Sequence, residues 1–131
     1  MRRSVFLAAA AVLVTAAAVA GPAQQALLDT YAKEAGTTPS ADRGRAFYAA
    51  THVGGKPETA SCTSCHGPDP REAGRTRAGK TIEPLAVSKT PTRLTDPATA
   101  EKWFSRNCDQ VLGRACTAAE KADVSAYLMS L

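Results

Sequence analysis

The stretch Cys62-Thr63-Ser64-Cys65-His66 is where residue types and spacing together prescribe a chemistry. In a C-x-x-C-H arrangement the two thiols can add to the two vinyl groups of a haem as thioethers. The imidazole that follows is then set beneath the iron as proximal ligand. The chain holds four cysteines and two histidines, and the motif occurs once. It therefore predicts one haem c, covalent through Cys62 and Cys65, with His66 on the metal. Two other readings use the same residue types. A thioredoxin-like redox pair needs a βαβ context, and no such pattern surrounds these cysteines. A zinc site needs a second pair of ligands, but Cys108 and Cys116 have neither a matching spacing nor a histidine near them.

Cys108 and Cys116 thus stand outside the motif. In an oxidising compartment an even leftover pair is most simply a disulfide. It would close a short loop across Gly113 and contribute on the order of 2–3 kcal/mol. A redox-active dithiol and two separate structural thiols are the alternatives. The sixth position on the iron decides function, and several residues compete for it. Electron-transfer cytochromes c commonly use Met, but beyond the initiator this chain has only Met129, beside Tyr127 and Leu128 in a helical pattern. That setting suits a core gap-filler. His52, ten residues before the first haem cysteine, falls at a helix end, where surface histidines are common. Lysines are titratable and generally solvated. Trp103, Asn107 and Val111 are spaced i, i+4, i+8 and share one helical face. An amide in line with Trp and Val either bonds a nearby carbonyl or meets something polar across that face.

The elements that must position these groups are helical. Apolar residues at 27, 28 and 31 mark a short helix over 23–35, stopped by Gly36. Ser40 caps a second, with Gly44, Phe47 and Tyr48 within it. From Val53 to Pro91 periodicity is lost and no alternation suggests a strand, which marks a long functional loop. Asp96-Pro97 opens a helix running to about Leu112, with Gly113 as its stop. Thr117 and Glu120 form a capping box for the last helix, from Ala118 to about Ser130, whose apolar residues are Val124, Tyr127, Leu128 and Leu131. The prediction is all-α, four to five helices around one haem.

Composition agrees with that scheme. The chain has 131 residues and a formal net charge of +4. Residues 1–20 read as a cleaved secretory signal: Arg2 and Arg3, an apolar run, then the small residues Ala18-Val19-Ala20. A retained membrane anchor is the alternative, but the run is short and weakly apolar for a span. The expected mature domain, 21–131, has only 23 apolar side chains larger than alanine. That is a thin interior for a small domain, and something besides side chains should fill it. No basic cluster with interleaved aromatics suggests nucleic acid, and neither several domains nor stable membrane insertion after cleavage is expected.

The sequence also resembles the sphaeroides haem protein group of small oxygen-binding cytochromes c, from about residue 24 to the C-terminus. The resemblance is carried by Arg43-Gly44-Arg45, the haem motif, Thr76-Arg77-Ala78-Gly79-Lys80, Glu83-Pro84-Leu85-Ala86, and Glu101-Lys102-Trp103-Phe104-Ser105-Arg106-Asn107-Cys108. It continues through Val111-Leu112-Gly113-Arg114, Cys116-Thr117 and Glu120-Lys121-Ala122-Asp123. The haem motif alone identifies a c-type cytochrome; the Trp-Phe-x-Arg-Asn-Cys block is far more specific. The resemblance implies a class I cytochrome c fold in the periplasm, His66 as proximal and Asn107 as distal ligand of oxidised iron, and a Cys108–Cys116 disulfide. It implies binding of oxygen and nitric oxide, and electrons received from a dihaem cytochrome c and a membrane b-type cytochrome. Asn107 would leave on reduction, so that O2, NO or CO can bind. The Pro84 carbonyl is expected to orient the proximal imidazole. Arg77, Lys80 and Trp103 are expected at the haem propionates, and Phe47 and Leu85 against the macrocycle. The competing functions are an ordinary six-coordinate electron carrier using His52 or Met129, and a haem enzyme acting on peroxide or NO.

Overall fold

The computed structural model describes residues 20–131, so the expected leader lies, except for Ala20, outside the described residues. Among the described residues no helix is long and apolar enough to cross a membrane. Helix α1 (Pro22–Ala35) has Pro in its first turn and ends at Gly36. In α2 (Ala41–Ala49) the Ser40 hydroxyl accepts from the Arg43 amide at 3.2 Å, as an N-cap should. The motif itself folds as a single turn, α3 (Thr63–His66). Helix α4 (Pro97–Leu112) starts at Asp96, whose carboxylate accepts from the Thr99 amide at 2.9 Å, and stops at Gly113 in the left-handed region. Helix α5 (Ala118–Met129) opens on the expected capping box: Thr117 accepts from the Glu120 amide at 3.2 Å, and Glu120 from the Thr117 amide at 2.8 Å.

Helix α5 packs on both α1 and α2. Its crossing with α2 is close because residue 44 is glycine: a Cβ there would overlap the Asp123 carbonyl. Asp123, itself buried, accepts from the Ser40 amide at 2.7 Å and from Arg43 Nε and Nη2 at 2.7 and 2.8 Å. These charge-assisted bonds hold the start of α2 on α5.

The stretch read as irregular holds three small elements: a 3-10 turn at Pro57–Thr59, α3, and an antiparallel pair of strands. The strands are β1 (Gly74–Arg75) and β2 (Thr81–Ile82), with Gly74 opposite Ile82. The expectation of no strand is corrected here; two residues per strand are too few to leave an alternation.

The interior is divided. One cluster joins Leu27, Tyr31, Ala100 and Ala122; a second joins Tyr48, Val124, Tyr127 and Leu128; a third joins Cys108, Val111, Leu112 and Cys116. Phe104 packs against all three, and Phe47 against the last two.

Candidate functional site

A cleft of about 980 Å³ opens among these clusters. Helix α3 brings Cys62, Cys65 and His66 to its wall together. The turn is closed by the His66 amide on the Cys62 carbonyl at 3.1 Å. Ser61 steadies the entry: its hydroxyl accepts from the Thr63 amide at 3.2 Å and donates to the Tyr48 carbonyl at 3.3 Å. Both motif cysteines are free thiols. Burial pushes the Cys62 thiol up to about 11, so it is a neutral thiol at neutral pH. Burial, with the Arg93 guanidinium adding to it, pushes the His66 imidazole down to about 4. The ring is therefore neutral near pH 7, with a lone pair free for a metal. Its Nδ1 is buried without a hydrogen-bond partner.

The opposite requirement, a wall able to accept a flat apolar group, is met by Phe47, Leu85, Leu94, Phe104 and Leu128, all on this cleft. Two free thiols, a neutral buried imidazole and a largely apolar cleft of this volume fit a covalently attached haem.

Helix α4 supplies the remaining side of the cleft. Trp103, Asn107 and Val111 all line it, so the i, i+4, i+8 face read from the sequence does look onto the site. Asn107 remains solvent-accessible. Trp103 is 43% exposed, and both Lys102 Nζ and Arg106 Cζ lie 5.8 Å from its ring centroid. Cys108, next to Asn107, is disulfide-bonded to Cys116, with Cα atoms 5.5 Å apart.

His52 and Met129 do not line the cleft. The His52 ring lies against Phe47 at 4.6 Å between centroids, and its Nε2 is 2.9 Å from the Phe47 carbonyl. Arg77 and Lys80 line the cleft but are exposed, and Arg77 pairs with Glu58 at 2.6 Å.

The Pro84 carbonyl does not hold the imidazole. It accepts from Thr90 Oγ1 at 2.9 Å and Arg93 Nε at 3.1 Å. Those two donors use both of its lone pairs. Arg93 itself went unread in the sequence. It is half-buried on the cleft, and Nη2 also donates to the Glu83 carbonyl at 2.9 Å. A single arginine in an aperiodic loop carries no local signal that it turns inward.

Residues 34–128 match a family model described as a domain of unknown function, DUF1924. The cytochrome c-type protein SHP of Cereibacter sphaeroides is 51% identical over 122 residues, covering 88% of this chain and 95% of that protein. The solved structure of oxidised SHP, an oxygen-binding cytochrome c, superposes with a TM-score of 0.78 at 53% identity, covering 80% of this chain and 94% of that one. Oxidised cytochrome c'' from Methylophilus methylotrophus superposes with a TM-score of 0.68 at 30% identity, covering 81% of this chain and 92% of that one.

Proposed function

This chain belongs to the sphaeroides haem protein family, and on that premise we propose that it is an exported monohaem cytochrome c whose distal side opens on reduction to bind a small gas such as O2, NO or CO. Cys62 and Cys65 would hold the haem as thioethers, and His66 would be its proximal ligand. When bound, the group would supply a redox-active iron able to exchange a ligand.

The observation that carries the reading is the place of Asn107: it stands on the cleft that Cys62, Cys65 and His66 share, while His52 and Met129 do not. An amide oxygen is a hard, neutral, weak donor, which suits ferric iron and serves softer ferrous iron poorly. Asn107 would therefore suit the distal side of an oxidised haem and serve poorly as a donor to the reduced one. The released amide carries NH2 as well as C=O and can donate a hydrogen bond to the entering gas. A redox partner delivers the electron; the resemblance points to a dihaem cytochrome c or a membrane b-type cytochrome.

Absorption spectra of the reduced protein with and without CO test the proposal. A spectral shift on adding CO is expected; a reduced low-spin haem indifferent to CO overturns it. Asn107→Ala should change the ferric spectrum, and an unchanged one removes that residue from the iron.

A further inference from the structure

The last turn of α4 is fastened, backbone to backbone, to the segment that leads into the haem motif. The Lys56 amide donates to the Gln110 carbonyl at 2.7 Å, and Thr59 Oγ1 lies 3.4 Å from the same oxygen. Carbonyls in the last turn of a helix have no partner within the helix, so this bond answers one that would otherwise be orphaned. No side chain cushions the contact. A Cβ on Gly55 would overlap the backbone of Gln110 and Val111, and one on Gly113 would overlap the Gly54 carbonyl. The loop that makes the seam is itself closed, with the His52 amide on the Ala60 carbonyl at 2.7 Å, two residues before Cys62. On its other side the same helix end is tied by Cys108–Cys116.

We propose that this glycine seam, Gly54-Gly55-Lys56 against Gln110-Val111 and Gly113, positions Asn107 and so sets how firmly its amide holds the distal position. The inference rests on the Asn107 reading above. Gln110 follows Asn107 by three residues and lies about one turn further along the same helix. Pinned on both sides, that turn does not swing when the amide lets go. The release is a side-chain rotation, and the freed amide stays beside the ligand. The seam also joins the distal helix to the proximal anchors by a short route, independent of the longer loop from 67 to 95.

Lys56→Pro is the test variant. It removes the one N–H that reaches Gln110, while the native φ of −79° is one that proline accepts. Gly55→Ala perturbs the same contact more severely, and Val53→Ser is the control in the same loop, at a side chain 91% exposed. With thermal unfolding measured on each holoprotein, two quantities are read: sodium azide affinity of the oxidised form, and the reduction midpoint. Loosening Asn107 should raise azide affinity by about tenfold in Lys56→Pro, since small misplacements at a site carry large factors. The midpoint should rise by about 59 mV for that tenfold loss of ferric ligation, and Val53→Ser should change neither. In an Asn107→Ala background the effect of Lys56→Pro should vanish, because the seam acts through that amide. A folded Lys56→Pro with unchanged azide affinity and midpoint overturns the proposal, as does an effect that persists without Asn107. If Asn107→Ala itself moves neither quantity, the ligand assignment fails instead. If Gly55→Ala does not fold, Lys56→Pro decides alone.

Discussion

The chemistry at the residue scale follows from where each side chain sits relative to one cleft. His66 is a neutral imidazole because burial penalises its cation and Arg93 adds to that penalty. Cys62 is a neutral thiol for the same reason of burial. His52 has the right element type for a distal ligand and the wrong place, with its ring on Phe47. Substituting His52→Ala or Met129→Leu should therefore leave the ferric spectrum and the CO response of the reduced protein unchanged. A changed Soret band in either variant would restore that residue as a ligand. The three residues proposed to hold the haem were legible in the sequence as a motif because their geometry is local: one helical turn carries all three. From spacing alone Asn107 was legible only as a polar residue on an apolar face; its expected ligand role came from the resemblance. The donors that meet the Pro84 carbonyl, and Arg93 among them, went unread for one physical reason. Which donor meets a loop carbonyl depends on chain brought in from elsewhere, and Arg93, nine residues on from Pro84, takes the acceptor expected for His66.

At the scale of elements, caps and staples fix the helix ends on which the site depends. Glu120 closes the α5 capping box and also receives Arg114, at 2.7 and 2.8 Å. Those bonds, the Arg114 hydrogen bond foremost, hold its carboxyl below the ordinary 4.5. The folded state then binds fewer protons than the unfolded one near that pH. The stabilisation is therefore full above 4.5 and is lost as pH falls through the depressed folded value. Glu120→Gln should cost at most about 1 kcal/mol at neutral pH, given the exposed arginine, with the deficit shrinking in acid. Urea midpoints of the two proteins across that range would show it, and a deficit constant with pH would remove the carboxylate as its source. The disulfide is a larger constraint. Cys108→Ser/Cys116→Ser opens a loop with a sequence separation of 8 and should lower stability by about 2–3 kcal/mol. Urea unfolding of that variant, compared with the parent, measures the loss. These ends could be read from the sequence because Ser40, Asp96 and Thr117-Glu120 act within one turn of themselves. The β1–β2 pair could not, because two residues per strand leave no alternation, and neither could the glycine seam, which exists only where distant backbone comes into register.

For the molecule as a whole, the shortage of large apolar side chains has a structural form. The three clusters do not merge into one core; they line a cleft and are bridged by Phe47 and Phe104. An apolar cleft of about 980 Å³ would be costly to leave unfilled, since each wall atom facing it would lack packing partners. Without a group to fill it, the walls must collapse inward or admit water. The capped helices α2, α4 and α5 have local reasons to persist, and the packing between them does not. A Cys62→Ala/Cys65→Ala protein, unable to hold haem covalently, should keep most of its far-UV circular dichroism. It should lose the near-UV signal of Trp103 and the tyrosines and unfold over a broad range, as compact states with fluctuating packing do. A sharp thermal transition with native near-UV ellipticity would mean that the clusters suffice alone. The expected outcome follows from the placement of Trp103 and Phe104: both face the cleft from α4, so the helix that carries Asn107 finds its packing partner in the group that Asn107 is proposed to ligate.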